Sequence, residues 1–121
     1  MEETQSCDNM QQKELPACPV ETTLTLISDK WKVLILRDLM PSTKRFGELK
    51  KSIGHVSQKV LTTQLRQMEQ TGLVTRTVYA EVPPRVEYTL TELGYSLKPI
   101  LDALWDWGKT YKQRNGLSDA P

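Results

Sequence analysis

The sequence of 121 residues predicts a small α+β domain that is mainly helical. Two observations indicate this fold class. Before Gly72, apolar residues recur at helical spacing in segments that end at Pro or Gly. After Gly72, two short β-rich runs flank a Pro-Pro pair, and a longer helical pattern follows them. We therefore expect one domain over residues 17–114, with a flexible N-terminal arm at residues 1–16 and a flexible tail at residues 115–121.

Two helices are predicted before Pro41. Pro19 suits the first turn of a helix, where its missing N–H costs nothing, and the pattern continues to about Ile27. Ser28 and Asp29 are candidate N-caps for the second helix. The apolar residues of that helix occur nearly all round its axis, which predicts that most of them are buried. They are Trp31, Val33, Leu34, Ile35, Leu36, Leu39 and Met40.

The next segment predicts a pair of helices joined by a short turn. The first covers residues 45–53, with apolar residues at spacings of three and four, and ends at Gly54. Ser57 is an N-cap candidate for the second, which runs toward Gly72. The apolar residues of this second helix are Val60, Leu61, Leu65 and Met68. This is the pattern of a helix-turn-helix, in which the second helix reads DNA.

A β-hairpin is predicted after Gly72. The runs Leu73–Tyr79 and Arg85–Leu90 are rich in β-branched and aromatic residues. Pro83 and Pro84 cannot donate hydrogen bonds to a sheet, so they belong at the hairpin tip. A helix-turn-helix followed by a hairpin is a winged helix-turn-helix.

A final helix begins near Thr91 and is expected to be interrupted at Pro99. It carries more apolar surface than the rest of the chain is expected to cover. These apolar residues are Leu97, Leu101, Leu104, Trp105 and Tyr111. We favour a homodimer interface shared with the helix after Cys18, because a domain of this size gains specificity by reading two half-sites. The alternative is packing within one chain.

Charge is distributed unevenly along the chain, although the net charge is only +1. Residues 1–29 hold six acidic residues and one lysine, whereas residues 30–76 hold ten basic and three acidic residues. The positive field thus coincides with the predicted helix-turn-helix, as binding to double-stranded DNA requires. Two alternatives remain, a solvated basic face without a partner and a basic face that docks an acidic protein.

Five residues on the outward face of the second helix are the candidate DNA readers: Gln58, Lys59, Thr62, Thr63 and Arg66. Gln58 and Arg66 suit bidentate pairing with adenine and guanine. Ser57, Lys59 and Thr63 suit contacts with phosphates. Each of them taken singly could instead face solvent.

Two arginines of the hairpin are further candidates for DNA binding. Arg85 follows the tip and suits a minor groove or a phosphate, and Arg76 suits a backbone contact. The alternative is surface pairing with Glu81, Glu87 or Glu92.

No constellation for catalysis is present in the sequence. The one histidine, His55, lies in a predicted turn without a neighbouring Cys or second His, and no phosphate-binding glycine loop or nucleophile elbow occurs. We therefore expect no enzyme, no metal and no cofactor. The acidic start and the absence of a bilayer-length apolar run predict a cytoplasmic protein without a membrane partner.

Cys18 is the candidate redox-sensing residue. It lies just before a predicted helix N-terminus, where the dipole and the unpaired N–H groups stabilise a thiolate. Glu14 and Glu21 oppose that effect, and a cysteine in a small protein is commonly just packed. Cys7 is the candidate resolving cysteine, although a cysteine in a flexible arm is commonly incidental.

A third regulatory scheme is an apolar ligand bound between the long helices and the domain. Trp31, Trp105 and Trp107 would form the walls of such a site. The alternative, which we favour, is that these tryptophans belong to the core.

From Cys18 to about Tyr111 the sequence resembles the HxlR-type family of bacterial transcriptional regulators, winged helix-turn-helix proteins related to the MarR-type regulators. The segments that carry the resemblance are Cys18–Glu21, Lys30–Leu36, Arg45–Leu49, Ser57–Thr62 with Leu65–Arg66, Gly72–Val74, and Val82–Tyr88 followed by Leu90–Gly94. The resemblance implies a homodimer with two reading helices in successive major grooves and wings on the flanking DNA. It also implies regulation of nearby genes, often as a repressor and often in response to electrophiles or oxidants, with a sensor at the position of Cys18.

Overall fold

The computed structural model describes residues 15–27 and 29–116. The elements in chain order are α1 (Pro19–Ile27), α2 (Lys30–Leu39), β1 (Lys44–Arg45), α3 (Phe46–Ile53), α4 (Gln58–Gln70), β2 (Val74–Tyr79), β3 (Arg85–Leu90), α5 (Glu92–Tyr95) and α6 (Lys98–Arg114). The predicted α+β, mainly helical class is confirmed. Cys7, Ser28 and most of the two predicted arms lie outside the described residues. No helix of the described ranges has the length and apolar character needed to cross a membrane.

Local signals set the helix boundaries as the sequence predicts. The Asp29 carboxylate caps α2 by accepting a hydrogen bond from the Trp31 N–H at 2.8 Å. The Ser57 hydroxyl caps α4 by accepting from the Val60 N–H at 3.1 Å. Gly54 ends α3 with φ of 94°, a left-handed conformation that favours glycine.

The core lies where α2, α3 and α4 pack against the sheet. Its fully buried side chains include Ile35, Leu36, Leu39, Leu49, Leu61, Leu65, Met68 and Leu73. The prediction that most apolar residues of α2 are buried is wrong, because Trp31, Val33, Leu34 and Met40 are only half-buried. The reason is that α3, α4 and β3 cover one side of α2, whereas an open cavity separates its other side from α6.

The sheet is antiparallel with strand order β1-β3-β2. The predicted hairpin is confirmed, with Val74 opposite Leu90 and Tyr79 opposite Arg85. The sequence missed β1, which pairs Lys44 with Tyr88. A strand of two residues shows no alternation, and only its pairing with β3 defines it.

The last helical segment is divided differently from the prediction. The break lies at Ser96 and Leu97, between α5 and α6, and Pro99 lies in the first turn of α6. A proline there loses no hydrogen bond, so it helps to start α6 and does not interrupt it. Within α5, a side chain at Gly94 would collide with the Leu73 carbonyl just before β2, so this close approach requires glycine.

Candidate nucleic-acid interface

The helix α4 has a buried face and an exposed face. Leu61, Gln64, Leu65 and Met68 are buried. Gln58, Lys59, Thr63 and Arg66 are exposed, and Thr62 is half-buried. The five residues predicted as DNA readers thus share one side of α4, turned away from the core. We call this side the reading face.

One flank of the reading face is fixed to α2 by a polar network. Lys32 Nζ donates to Gln64 Oε1 at 2.6 Å and to Gln67 Oε1 at 2.7 Å, and Gln64 Nε2 donates to Asp29 Oδ2 at 3.2 Å. Burial lowers the pKa of Lys32, and the nearby Asp29 carboxylate partly opposes this. The network satisfies the polar atoms of the buried Gln64 and ties α4 to the start of α2.

Sequence reasoning missed this network. Its only signal is a glutamine at position 64, one turn after Leu61 and beside Leu65, where the helical period calls for an apolar residue. That signal predicts a buried amide but does not identify its partner, since Lys32 is 32 residues away in the sequence.

The other flank of the reading face borders the wing. Here a polar cavity of about 360 Å³ lies between α4 and the sheet, and it contains two of the predicted DNA-binding arginines. Its lining residues are Phe46, Thr62, Arg66, Glu69, Arg76 and Tyr88. We call it the wing cavity. Two predicted residues that are ten positions apart in the sequence, Arg66 and Arg76, thus belong to one cavity.

Arg85 is engaged by its own hairpin. Its guanidinium donates to Glu81 Oε2 at 3.0 Å and to Glu87 Oε2 at 3.1 Å, and it stacks over the Tyr79 ring at 4.0 Å. Its Nε is buried without a partner in the described chain. The alternative of surface pairing therefore describes Arg85 in this structure, with Glu81 and Glu87 as its partners.

Cys18 is a free, exposed thiol directly before α1. The chain beside it is anchored, because the Thr22 hydroxyl donates to the Pro16 carbonyl at 3.0 Å and the Thr22 N–H donates to the Cys18 carbonyl at 3.0 Å. The thiol is therefore accessible to small reagents while its backbone is held at the helix start. Cys7 is not among the described residues.

Apolar surface is exposed on α6. Trp105 and Trp107 are 60% and 69% exposed, so the prediction that they belong to the core is wrong. Trp107 stacks on Tyr111 with 5.4 Å between the ring centroids, and Trp31 packs against His55 with 5.1 Å between the ring centroids. Of the three tryptophans, only Trp105 lines the apolar cavity of about 350 Å³ between α2 and α6.

The fold and the reading face together define a winged helix-turn-helix protein of the DNA-binding type. The sequence profile of the HxlR-like helix-turn-helix family matches residues 26–116. The chain therefore belongs to this family, and the resemblance seen in the sequence is confirmed.

Relatives and solved structures agree with this assignment. The uncharacterized HTH-type transcriptional regulator YdeP from Bacillus subtilis is 46% identical over 101 residues, which are 84% of this chain and 79% of YdeP. The redox regulator HypR in its reduced form has a TM-score of 0.75 at 42% identity, over 78% of this chain and 94% of HypR. The reduced form of YodB from B. subtilis has a TM-score of 0.69 at 36% identity, over 79% of this chain and 95% of YodB. YodB is also known in a diamide-treated form. The protein is thus a transcriptional regulator of the helix-turn-helix type, and DNA is its partner.

Proposed function

We propose that the protein is a dimeric, sequence-specific DNA-binding regulator that acts as a repressor in the cytoplasm. The observation that carries this proposal is the reading face, where cationic and amide side chains lie together, away from the core. In a helix-turn-helix such a face enters the major groove, where hydrogen bonds distinguish the base pairs. Repression is a common action in the family that the sequence resembles.

Within the reading face, Gln58 reads base edges, whereas Lys59 and Thr63 bind phosphates. Gln58 lies in the first turn of α4, the end of a reading helix that approaches the bases, and its amide pairs with adenine. Lys59 is exposed and offers a point charge to the backbone. The Ser57 hydroxyl accepts a hydrogen bond from the Val60 N–H, so its own proton is available for a phosphate.

The wing side supplies the remaining contacts of the interface. Thr62, Arg66 and Arg76 belong to the wing cavity at the edge of the reading face. Arg85 approaches the minor groove with the hairpin, but its two carboxylate partners already offset its positive charge. We therefore expect Arg85 to contribute less to affinity than Lys59.

A second copy of the chain covers the exposed apolar surface of α1 and α6 in this proposal. The large apolar residues exposed by at least half on these helices are Val20, Leu24, Leu104, Trp105, Trp107 and Tyr111. Large exposed apolar patches mark interaction sites, and a two-fold arrangement presents two copies of α4 to half-sites about 34–36 Å apart.

The test is a binding titration with the DNA upstream of the encoding gene and with a random duplex of equal length, at two salt concentrations. We expect Gln58→Ala to lose about 1–3 kcal/mol at particular base pairs only. Lys59→Ala should weaken binding to both duplexes and lower the salt slope by about 1. Arg114→Ala removes an exposed cation at the end of α6 and serves as the matched control without effect. If the protein binds both duplexes equally, it should next be offered a random pool of duplexes. Failure to bind the duplexes selected from that pool more tightly than the random duplex refutes sequence-specific recognition.

Cys18 is the proposed redox sensor. The accessible thiol before α1 supports this assignment, as does the similarity to HypR, a redox regulator, and to YodB, which is known in a diamide-treated form. We expect diamide or a quinone to release the wild-type protein from its operator, while Cys18→Ser stays bound. Cys7→Ser tests whether Cys7 resolves the oxidised thiol. Release of Cys18→Ser at the wild-type reagent concentration excludes Cys18 as the sensor.

A further inference from the structure

We propose that Arg66 and Arg76 together form one phosphate-binding site in the wing cavity, and that its ligand is a single phosphodiester of the DNA backbone. This inference rests on the proposed DNA binding. It gives Arg66 a different role from the base reading that the sequence predicts.

The wing directs Arg76 toward α4. Side chains alternate along a strand, so Val74, Arg76 and Val78 share one face of β2. Val74 is buried, and Arg76 lies opposite Tyr88, which is only 8% exposed. Arg76 therefore shares the face of β2 that carries Val74, but it is itself exposed and lies beyond the edge of the core. At that position Arg76 lines the cavity beside α4.

The helix α4 brings the second arginine to the same place. Thr62, Arg66 and Glu69 are spaced by four and three residues, so they follow one another along one side of α4. All three line the wing cavity with Arg76. The lining residues thus include two arginines and a threonine, whose guanidinium and hydroxyl groups can donate hydrogen bonds to an oxyanion.

The charges in the cavity are not neutralised within the described chain. Glu69 is near enough to line the same cavity, yet neither Arg66 nor Arg76 forms an ion pair with it or with any other described residue. Arg85 shows the contrast, because it pairs with two carboxylates in the same hairpin. Two guanidiniums and one carboxylate leave a net positive site, with Phe46 and Tyr88 as its apolar neighbours.

The position of the cavity identifies the source of the phosphate. It lies between the reading face and the wing. When a reading helix lies in the major groove and the wing lies beside the flanking minor groove, the strand that separates the two grooves crosses the junction between helix and wing. A phosphodiester of that strand meets the two arginines there. A planar guanidinium suits the tetrahedral phosphate by forming two parallel hydrogen bonds.

The experiment compares Arg66→Gln, Arg76→Gln and the double variant on the duplex that the wild-type protein selects and on a random duplex. Each single variant should weaken binding to both duplexes by about ten- to hundredfold and lower the salt slope by about 1. Because both arginines hold one phosphate, the double variant should lose far less than the product of the two single losses. Arg114→Gln is the control for net charge, and Glu69→Gln should tighten binding to both duplexes.

A duplex with a single neutral methylphosphonate locates the phosphate. At one position the neutral linkage should weaken wild-type binding, while the binding of Arg66→Gln and Arg76→Gln should hardly change there. A loss for Arg66→Gln that is confined to particular base pairs overturns the proposal in favour of base reading. Multiplicative losses in the double variant overturn the single shared site.

A titration with inorganic phosphate tests whether the two arginines bind a free phosphate group instead of the DNA backbone. Arginine Nε–H resonances of Arg66 and Arg76 should move with the selected duplex and stay unchanged up to millimolar inorganic phosphate. Saturation by inorganic phosphate, with no methylphosphonate effect, assigns the site to a free phosphate-bearing effector and overturns the backbone assignment.

Failure of this site can be told from failure of the proposed function. If the wild-type protein selects no duplex, the proposed function itself is overturned. If the wild-type protein selects a duplex and the arginine variants bind it equally well, this site alone is overturned.

Discussion

The helices α4 and α6 are both amphipathic, but they satisfy their apolar faces in different ways. Of the 13 residues in α4, four are buried, while none of the 17 residues in α6 is buried. The apolar face of α4 is covered within the chain by the core, and its flank is held by Lys32. Leu101 packs against the core, but most of the apolar face of α6 is exposed to solvent within the described chain. The contrast fits the proposal that α4 is fixed within one chain, whereas α6 meets a second copy.

The polar contacts of α4 are also more buried than those of α6. Gln64 of α4 is 8% exposed and bonded to Lys32 and Asp29. The Lys98–Asp102 pair of α6 is exposed on both sides, and exposed pairs of this kind contribute at most about 0.5 kcal/mol. The orientation of α4 is therefore fixed both by its apolar residues in the core and by the hydrogen bonds of Gln64 to Lys32 and Asp29.

The largest expected effect comes from removing core volume beneath α4. Leu65→Ala should lower the free energy of unfolding by about 2–5 kcal/mol, because Leu65 is only 1% exposed. The matched change on α6, Leu104→Ala, should cost less than about 0.5 kcal/mol in the monomer. Urea denaturation of both variants at low protein concentration provides the measurement. Similar losses for the two variants would show that α6 is packed within one chain.

The second effect concerns assembly. Trp105→Glu should weaken a dimer by about 2 kcal/mol or more, because it places a charge in an apolar interface whose large aromatic residues carry most of the binding energy. Analytical ultracentrifugation measures the mass, and circular dichroism checks that the fold is retained. Asp106→Asn, a change at the neighbouring exposed position, is the control. A dimer of wild-type strength in Trp105→Glu places the subunit interface away from this part of α6.

The smallest effect is a change in the pH dependence of stability. Since burial lowers the pKa of Lys32 below its usual 10.5, the folded protein binds fewer protons than the unfolded chain just below pH 10.5. Lys32 therefore contributes a rise in stability with increasing pH in that window. Lys32→Met should lack this contribution, which a difference in denaturation midpoints between the two proteins at pH 8 and pH 10 detects. If stability changes equally with pH in the two proteins, burial does not lower the pKa of Lys32 enough to affect folding.

Local chemistry explains what the sequence predicted well. Ser57 and Asp29 cap their helices, and Gly54 ends α3, because each acts on backbone groups within a few residues. The hairpin follows from β-forming residues on both sides of a proline pair. Even the reading face follows from the helical period, since five polar residues at the right spacing fall on one side of α4.

Pro99 and β1 show where local reasoning failed. A proline within a helical pattern predicts a break at that residue, but the actual break two residues earlier made Pro99 a first-turn residue. The strand β1 exists only because Lys44 and Arg45 lie beside β3, more than 40 positions later in the sequence. Neither outcome is encoded in the residues next to it.

The sequence by itself determined the boundaries of the helices before the wing, the wing, the reading face and the family, because these depend on periodicity and on backbone hydrogen bonding over short stretches. Only the tertiary structure decided that Lys32 holds Gln64, that Arg85 is paired with two glutamates, and that Arg66 and Arg76 share a cavity. The physical reason is that charged side chains interact according to their distance in space, and most of these partners meet only after separate helices and strands have packed.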